Sequence, residues 1–96
     1  MIEYSAEGEK LICKFLKHMD TEACQKYQEE LFEKIAQTKN GIFDLRDVDY
    51  VSSLFLTFCI RASKVLGSDN LVIVNLNPNV KKVFKISGLD TLLRIE

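Results

Sequence analysis

Apolar Ile2, Tyr4 and Ala6 alternate with polar neighbours, Glu7-Gly8-Glu9 interrupts them, and a second apolar stretch runs from Leu11 to Leu16. Alternation with a period of two on both sides of a glycine turn predicts a β-hairpin. The period then lengthens. Cys24, Tyr27, Leu31 and Ile35 recur at three- and four-residue intervals, which is the buried stripe of a helix, with Asp20 or Thr21 placed to cap it. Glu22 with Lys26 and Glu30 with Lys34 stand four apart on the opposite, solvated face.

Asn40-Gly41 reads as the C-terminal cap of that helix, because both residues tolerate the left-handed conformation, and Ile42 to Leu45 as a short strand. From Ser53 to Leu66 nearly every position suits a helix, and Leu54, Phe55, Leu56, Phe58, Cys59 and Ile60 spread around most of its circumference, so this helix is expected to be heavily covered. Leu71 to Leu76 is a near-continuous apolar run, the pattern of a central strand covered on both faces. Asn77-Pro78 starts a last helix, with Val80, Val83 and Phe84 facing inward, Lys81, Lys82 and Lys85 outward, and Gly88 at its end. Leu92, Leu93 and Ile95 supply a final strand or short helix. Strands alternating with helices after an opening hairpin predict an α/β fold: a mixed, mostly parallel sheet with helices packed on it and right-handed crossovers.

The chain has 96 residues, 47% hydrophobic and 28% charged, which is the size of one domain spanning 1–96. Lys and Arg number 13 against 14 Asp and Glu, so the basic surface of a nucleic-acid binder is not expected. The charges are unevenly spread: residues 1–50 hold 7 basic and 11 acidic side chains, residues 51–96 hold 6 and 3. Folding is expected to interleave the two halves and blur that difference. The N-terminus lacks the basic start and apolar stretch of a signal peptide, and the longest apolar run is interrupted by Gly67, Ser68, Asp69 and Asn70. A cytoplasmic protein without membrane insertion is the expectation.

Cys13, Cys24 and Cys59 share no short spacing and read as reduced thiols in apolar sites, neither a disulfide framework nor a metal site. The single histidine, His18, leaves little for acid–base chemistry, and a Cys/His nucleophilic pair is explained more simply by buried thiols and a loop histidine. Gly8, Gly41, Gly67 and Gly88 are isolated, so no phosphate-binding loop exists. Neither an enzyme nor a bound cofactor is expected. The position that stands out is Ser52-Ser53, which places hydroxyls at the N-terminus of the long apolar helix. Capping alone accounts for one of them. A phosphate there would be tolerated by the free N–H groups and the helix dipole, and would impose charge and desolvation on any apolar contact made at that corner.

In order and local sequence the elements resemble the STAS family, the domain of bacterial anti-sigma factor antagonists and of sulfate-transporter tails. The likeness runs through Leu16-Lys17-His18-Met19-Asp20-Thr21 at the turn into the first helix and through Gly41 to Val51, a hydrophobic strand followed by Val48-Asp49-Tyr50-Val51. It continues through Leu71 to Leu76, Asn77-Pro78 and Ser87-Gly88-Leu89-Asp90. The family's regulatory motif, Asp-Ser-Ser/Thr-Gly, falls on Ser52, Ser53, Leu54 and Phe55, so Ser53 takes the phosphorylatable position while the other three depart from the pattern. The resemblance implies partner switching, in which an unphosphorylated antagonist binds an anti-sigma factor that is also a serine kinase and is released once modified. It assigns the phosphate to Ser53 and the docking corner to Asp20, Asp49, Ser52, Ser53, Leu54 and Phe55. The altered motif also fits an unphosphorylated STAS subunit that contacts a transporter ATPase or sits in a sensory assembly.

Overall fold

The computed structural model describes residues 2–96. Strands β1 (Glu3–Glu7) and β2 (Lys10–Lys14) form the expected antiparallel hairpin, turned at Gly8 with φ of 64°. A two-residue strand β3 (His18–Met19) leads into helix α1 (Thr21–Ile35), then β4 (Asn40–Asp44). A second two-residue strand, β5 (Tyr50–Val51), leads into α2 (Ser53–Leu66), followed by β6 (Leu71–Val74) and α3 (Pro78–Ile86). One 3₁₀ turn (Leu89–Thr91) and β7 (Arg94–Ile95) complete the chain. The main sheet has the order β1-β2-β4-β6-β7, parallel throughout except for the hairpin, and β3 pairs with β5 in a separate parallel ribbon.

The march β2-β4-β6-β7 runs in one direction across the sheet, so crossovers of one hand put all three helices on the same face. Burial agrees. Leu11, Cys13, Phe43, Ile73 and Leu71 point into the core, whereas Ile12, Lys14, Ile42, Asp44, Val72 and Val74 on the other face remain partly exposed. The run Leu71–Leu76 is therefore covered on one face only, and β4, not β6, holds the centre. Its apolar outward residues reflect β-propensity, which does not distinguish a one-sided from a two-sided strand.

Between the helices and the sheet, Phe15 meets Phe43 and Phe55 edge to face at ring-centroid distances of 4.9 and 5.0 Å. Phe58 meets Phe32 of α1 in the same way at 5.4 Å. Such pairs add roughly 0.5–1.5 kcal/mol each to the burial of their rings. Helix α2 is the central member of the helical layer, buried through Phe55, Phe58, Cys59, Ala62, Ser63 and Leu66. Arg61, Lys64 and Val65 are nonetheless exposed, so one broad stripe of it is covered.

Three local expectations are corrected. Helix α1 ends at Ile35 with right-handed Ala36 as its cap, and Asn40-Gly41 already belongs to β4. Gly41 serves packing rather than capping: a Cβ there would lie 3.0 Å from Leu66 Cδ1 and 3.3 Å from Leu71 Cδ1. Val83 on α3 does not face inward but is 37% exposed, because Val80 and Phe84 alone meet the core. Finally, the lysines expected to pair with glutamates along α1 lie over aromatic rings instead, Lys34 at 4.9 Å from the centre of Tyr4 and Lys26 at 5.5 Å from that of Tyr27.

All three cysteines are free and buried. Burial pushes the Cys13 thiol up to about 12, only partly offset by Lys34 nearby, and drives Cys59 higher still. A thiol that must stay protonated in the fold but ionises near its ordinary value of 9.0 in the unfolded chain contributes stability that is intact below about pH 9 and lost as the pH rises toward about 12. Urea midpoints measured at pH 8 and pH 10 are expected to fall over that interval, and the fall should shrink in Cys13→Val. Gly41→Val is expected to lower stability by about 1–3 kcal/mol in the same assay, as overpacking does.

Candidate functional site

The candidate corner is built where parallel strands release the chain into helices. In the ribbon, His18 pairs with Tyr50 and Met19 with Val51, and the Ser52 N–H donates to the Met19 carbonyl at 2.9 Å. That register sets the residues that follow, Asp20 and Ser52, beside one another, and both are helix caps. Asp20 Oδ1 accepts from the Ala23 N–H at 2.8 Å at the head of α1. Ser52 Oγ accepts from the Phe55 N–H at 3.2 Å at the head of α2. The head of α3 points to the same edge of the sheet: Asn77 Oδ1 accepts from the Val80 N–H, and its amide donates to the Val48 carbonyl, both at 2.8 Å. Three helix N-termini with their partial positive charge thus gather at the carboxyl ends of β2, β4 and β6.

Each residue singled out from the sequence has a definite place. Ser53, the first residue of α2, is exposed and its hydroxyl is free of the capping role. Ser52 is 7% exposed, and its hydroxyl also lies 3.8 Å from Cys24 Sγ. Buried beside a thiol, that position suits a hydroxyl, since an unpaired carboxylate would carry a desolvation cost there. Leu54 is half-buried against the core. Asp20 and Asp49 are exposed, and Asp49 accepts from His18 Nε2 at 3.0 Å with Lys17 Nζ 3.9 Å away.

Phe55 is the exception. It is fully buried, with its ring against Phe15, and is removed from the docking corner. The reason is helical geometry: Ser53 and Phe55 are two positions apart and so cannot share a face. The large residue that stands where the family motif has glycine pins the first turn of α2 to the core. Sequence reasoning named Tyr50 and His18 without assigning them to the corner, where they add an exposed ring, 53% accessible, and an imidazole hydrogen-bonded to Asp49 beside the caps. Their signal was the apolar–polar alternation across Asp49-Tyr50-Val51, too short to read alone.

Among the described residues, no group of three or more His, Cys, Asp or Glu side chains stands close enough to hold a metal ion. No helix among them is long and apolar enough to cross a membrane. An apolar depression of about 360 Å³ lined by Ile60, Lys64, Leu92 and Leu93 lies at the opposite end of α2. What the corner presents is a surface: a free hydroxyl on a fixed helix end, flanked by two carboxylates, an imidazole and an aromatic ring.

The architecture is a one-sided α/β sheet whose helix caps gather around an exposed serine. The STAS domain family model matches residues 2–96, and the chain belongs to that family. Solved structures agree in fold. An anti-sigma-factor antagonist (STAS) domain protein from Planctomyces limnophilus superposes with a TM-score of 0.88 at 14% identity, covering 98% of this chain and 87% of that one. The anti-sigma factor antagonist SpoIIAA in its unphosphorylated form gives 0.83 at 16%, covering 100% and 88%. The Bacillus cell fate determinant SpoIIAA in its phosphorylated form gives 0.75 at 15%, covering 100% and 91%. No curated protein sequence gives a significant match.

The two adjacent serines are expected to separate in stability. Ser52→Ala should cost about 1 kcal/mol in urea denaturation by removing the cap, whereas Ser53→Ala should stay within about 0.5 kcal/mol of the parent.

Proposed function

We propose that this chain is an anti-sigma factor antagonist that docks onto an anti-sigma factor with serine kinase activity, and that phosphorylation of Ser53 ends the contact. The observation that carries this reading is the division of labour between the two serines: Ser52 is buried and committed to the cap, while Ser53 is exposed at the same helix end with a free hydroxyl. The fold shared with anti-sigma factor antagonists, one of them known in a phosphorylated form, supports it. In this reading the contact surface comprises Ser53, half-buried Leu54, Asp20 and Asp49, with Tyr50 as an added aromatic anchor.

The kinase would supply ATP, and the antagonist would supply only its hydroxyl. The γ-phosphorus to bridging-oxygen bond of ATP breaks, a bond from that phosphorus to Ser53 Oγ forms, ADP leaves, and the hydroxyl proton passes to a base on the kinase. The product carries about -1.5 to -2 units of charge at a helix end that stabilises it. The partner pays for the change, because its buried apolar contact would have to accommodate a dianion.

A second reading, an unphosphorylated STAS subunit bound to a transporter ATPase or a sensory assembly in the cytoplasm, is favoured by the three departures from the family motif. Phe55 in particular holds the head of α2 against the core.

Intact-mass analysis of the protein isolated from its own cells should show one added phosphate, mapped to Ser53 and absent from Ser53→Ala. A protein that remains unmodified under conditions that activate the sigma-factor response, or that carries its phosphate elsewhere, supports the second reading. In a binding assay with the co-purifying partner, Ser53→Asp should weaken affinity at least about tenfold and Ser53→Ala should leave it nearly unchanged.

A further inference from the structure

The opposite charge of the two halves persists on the first and last helices. Sheet order places α1 over β2 and β4, α2 over β4 and β6, and α3 over β6 and β7, so the first and last helices flank α2 on opposite sides. On α1, Glu29, Glu30 and Glu33 are exposed and form no ion pair among the described residues. The lysines of that helix lie over the rings of Tyr27 and Tyr4, and Lys34, which borders Glu30 and Glu33, forms no ion pair with either. On α3, Lys81, Lys82 and Lys85 are exposed and equally unpaired, and the helix contains no acid. Ile86, one turn beyond Lys82 on the same surface, is 75% exposed, the most exposed large hydrophobic residue described.

The two triads share one spacing. Each places its second charge one residue, and its third four residues, after the first, so each covers a single helical turn with the same outline and opposite sign. A shallow concavity lined by Glu30, Glu33, Lys34 and Gln37 lies on the acidic side, open to a lysine head group.

We propose that copies of this chain associate head to tail, the lysine triad of α3 on one copy seated against the glutamate triad of α1 on the next. The occupant is a second copy because the complementary constellation is carried by the chain itself. The glutamate triad lies in the C-terminal half of α1 and the lysine triad in the middle and last turn of α3, so neither includes a residue of the proposed docking site. A heterologous contact uses one of the two faces on each copy and leaves the other free, so it builds rings of three or more copies or open filaments rather than a dimer. Exposed ion pairs are individually weak and screened by salt, so the contact is a low-affinity one, sensitive to ionic strength.

Sedimentation equilibrium tests this directly. At about 0.02 M salt the weight-average mass should climb with concentration past twice the chain mass of 11.0 kDa, and the apparent Kd should weaken at least about tenfold at about 1 M salt, where the screening length is about 3 Å. The decisive arm uses two reversed variants, Lys81→Glu/Lys82→Glu/Lys85→Glu and Glu29→Lys/Glu30→Lys/Glu33→Lys, each checked for native circular dichroism. Each should fail to associate with itself, and an equimolar mixture of the two should associate. The neutralised pairs Lys82→Gln/Lys85→Gln and Glu30→Gln/Glu33→Gln are gentler substitutes should a reversal unfold the chain, and each should weaken self-association of the parent. A parent that stays at 11.0 kDa at all concentrations and salts, a plateau at twice that mass, or self-association that survives both reversals would overturn the proposal.

Discussion

Everything at the candidate corner depends on the parallel pairing of β2, β4 and β6. Parallel neighbours cannot be joined by a tight turn, so each pair requires a crossover, and here each crossover carries a helix. The strand order advances in one direction, which commits all the helices to one face and all their N-termini to one edge of the sheet. Asp20, Ser52 and Asn77 are caps at that edge because each helix must satisfy its free N–H groups as the chain leaves the sheet. The exposed serine is thus where it is through topology, and its surroundings are assembled from three separate segments by the same constraint. The β3–β5 ribbon refines the arrangement by holding two caps in register, with the Ser52 N–H tied to the Met19 carbonyl.

How far this was legible in the sequence follows from the range of each interaction. The hairpin, the boundaries of α2 and the N-terminal caps of α1 and α3 rest on local chemistry: a glycine turn, an apolar helix behind two serines, an Asp-Thr and an Asn-Pro start. They appear in the structure where the sequence placed them. Gly41 was misread because a glycine after a helix is usually a cap, and its actual reason is the side chains of Leu66 and Leu71, more than twenty residues away in the chain. The centrality of β4 was invisible for the same reason: strand order is a long-range fact, and Leu71–Val74 is as apolar as a strand with two covered faces.

Phe55 shows how a motif match can mislead about a side chain. Counting along the family pattern puts it two residues past the phosphorylatable position, but helical rotation turns it away from Ser53 and into contact with Phe15. A phenyl ring buried among Phe15 and its neighbours ties the first turn of α2 down. The helix end is correspondingly rigid, held from the side by Ser52 and from beneath by Phe55.

That rigidity limits how a switch at Ser53 can act. A phosphate that moved the helix would have to break the Ser52 cap and lift Phe55 from the core, and truncating a buried phenylalanine alone costs about 3–5 kcal/mol. The attraction between a phosphate and the head of a helix opposes such a movement, since it stabilises α2 as it stands, by up to about 2 kcal/mol. Both terms favour a modified protein with the same backbone as the unmodified one. A phosphate on Ser53 would therefore act at the surface, by adding charge beside Asp20 and Asp49, where the proposed partner would dock, and the signal would reside in the repulsion and desolvation at that contact rather than in a change of fold.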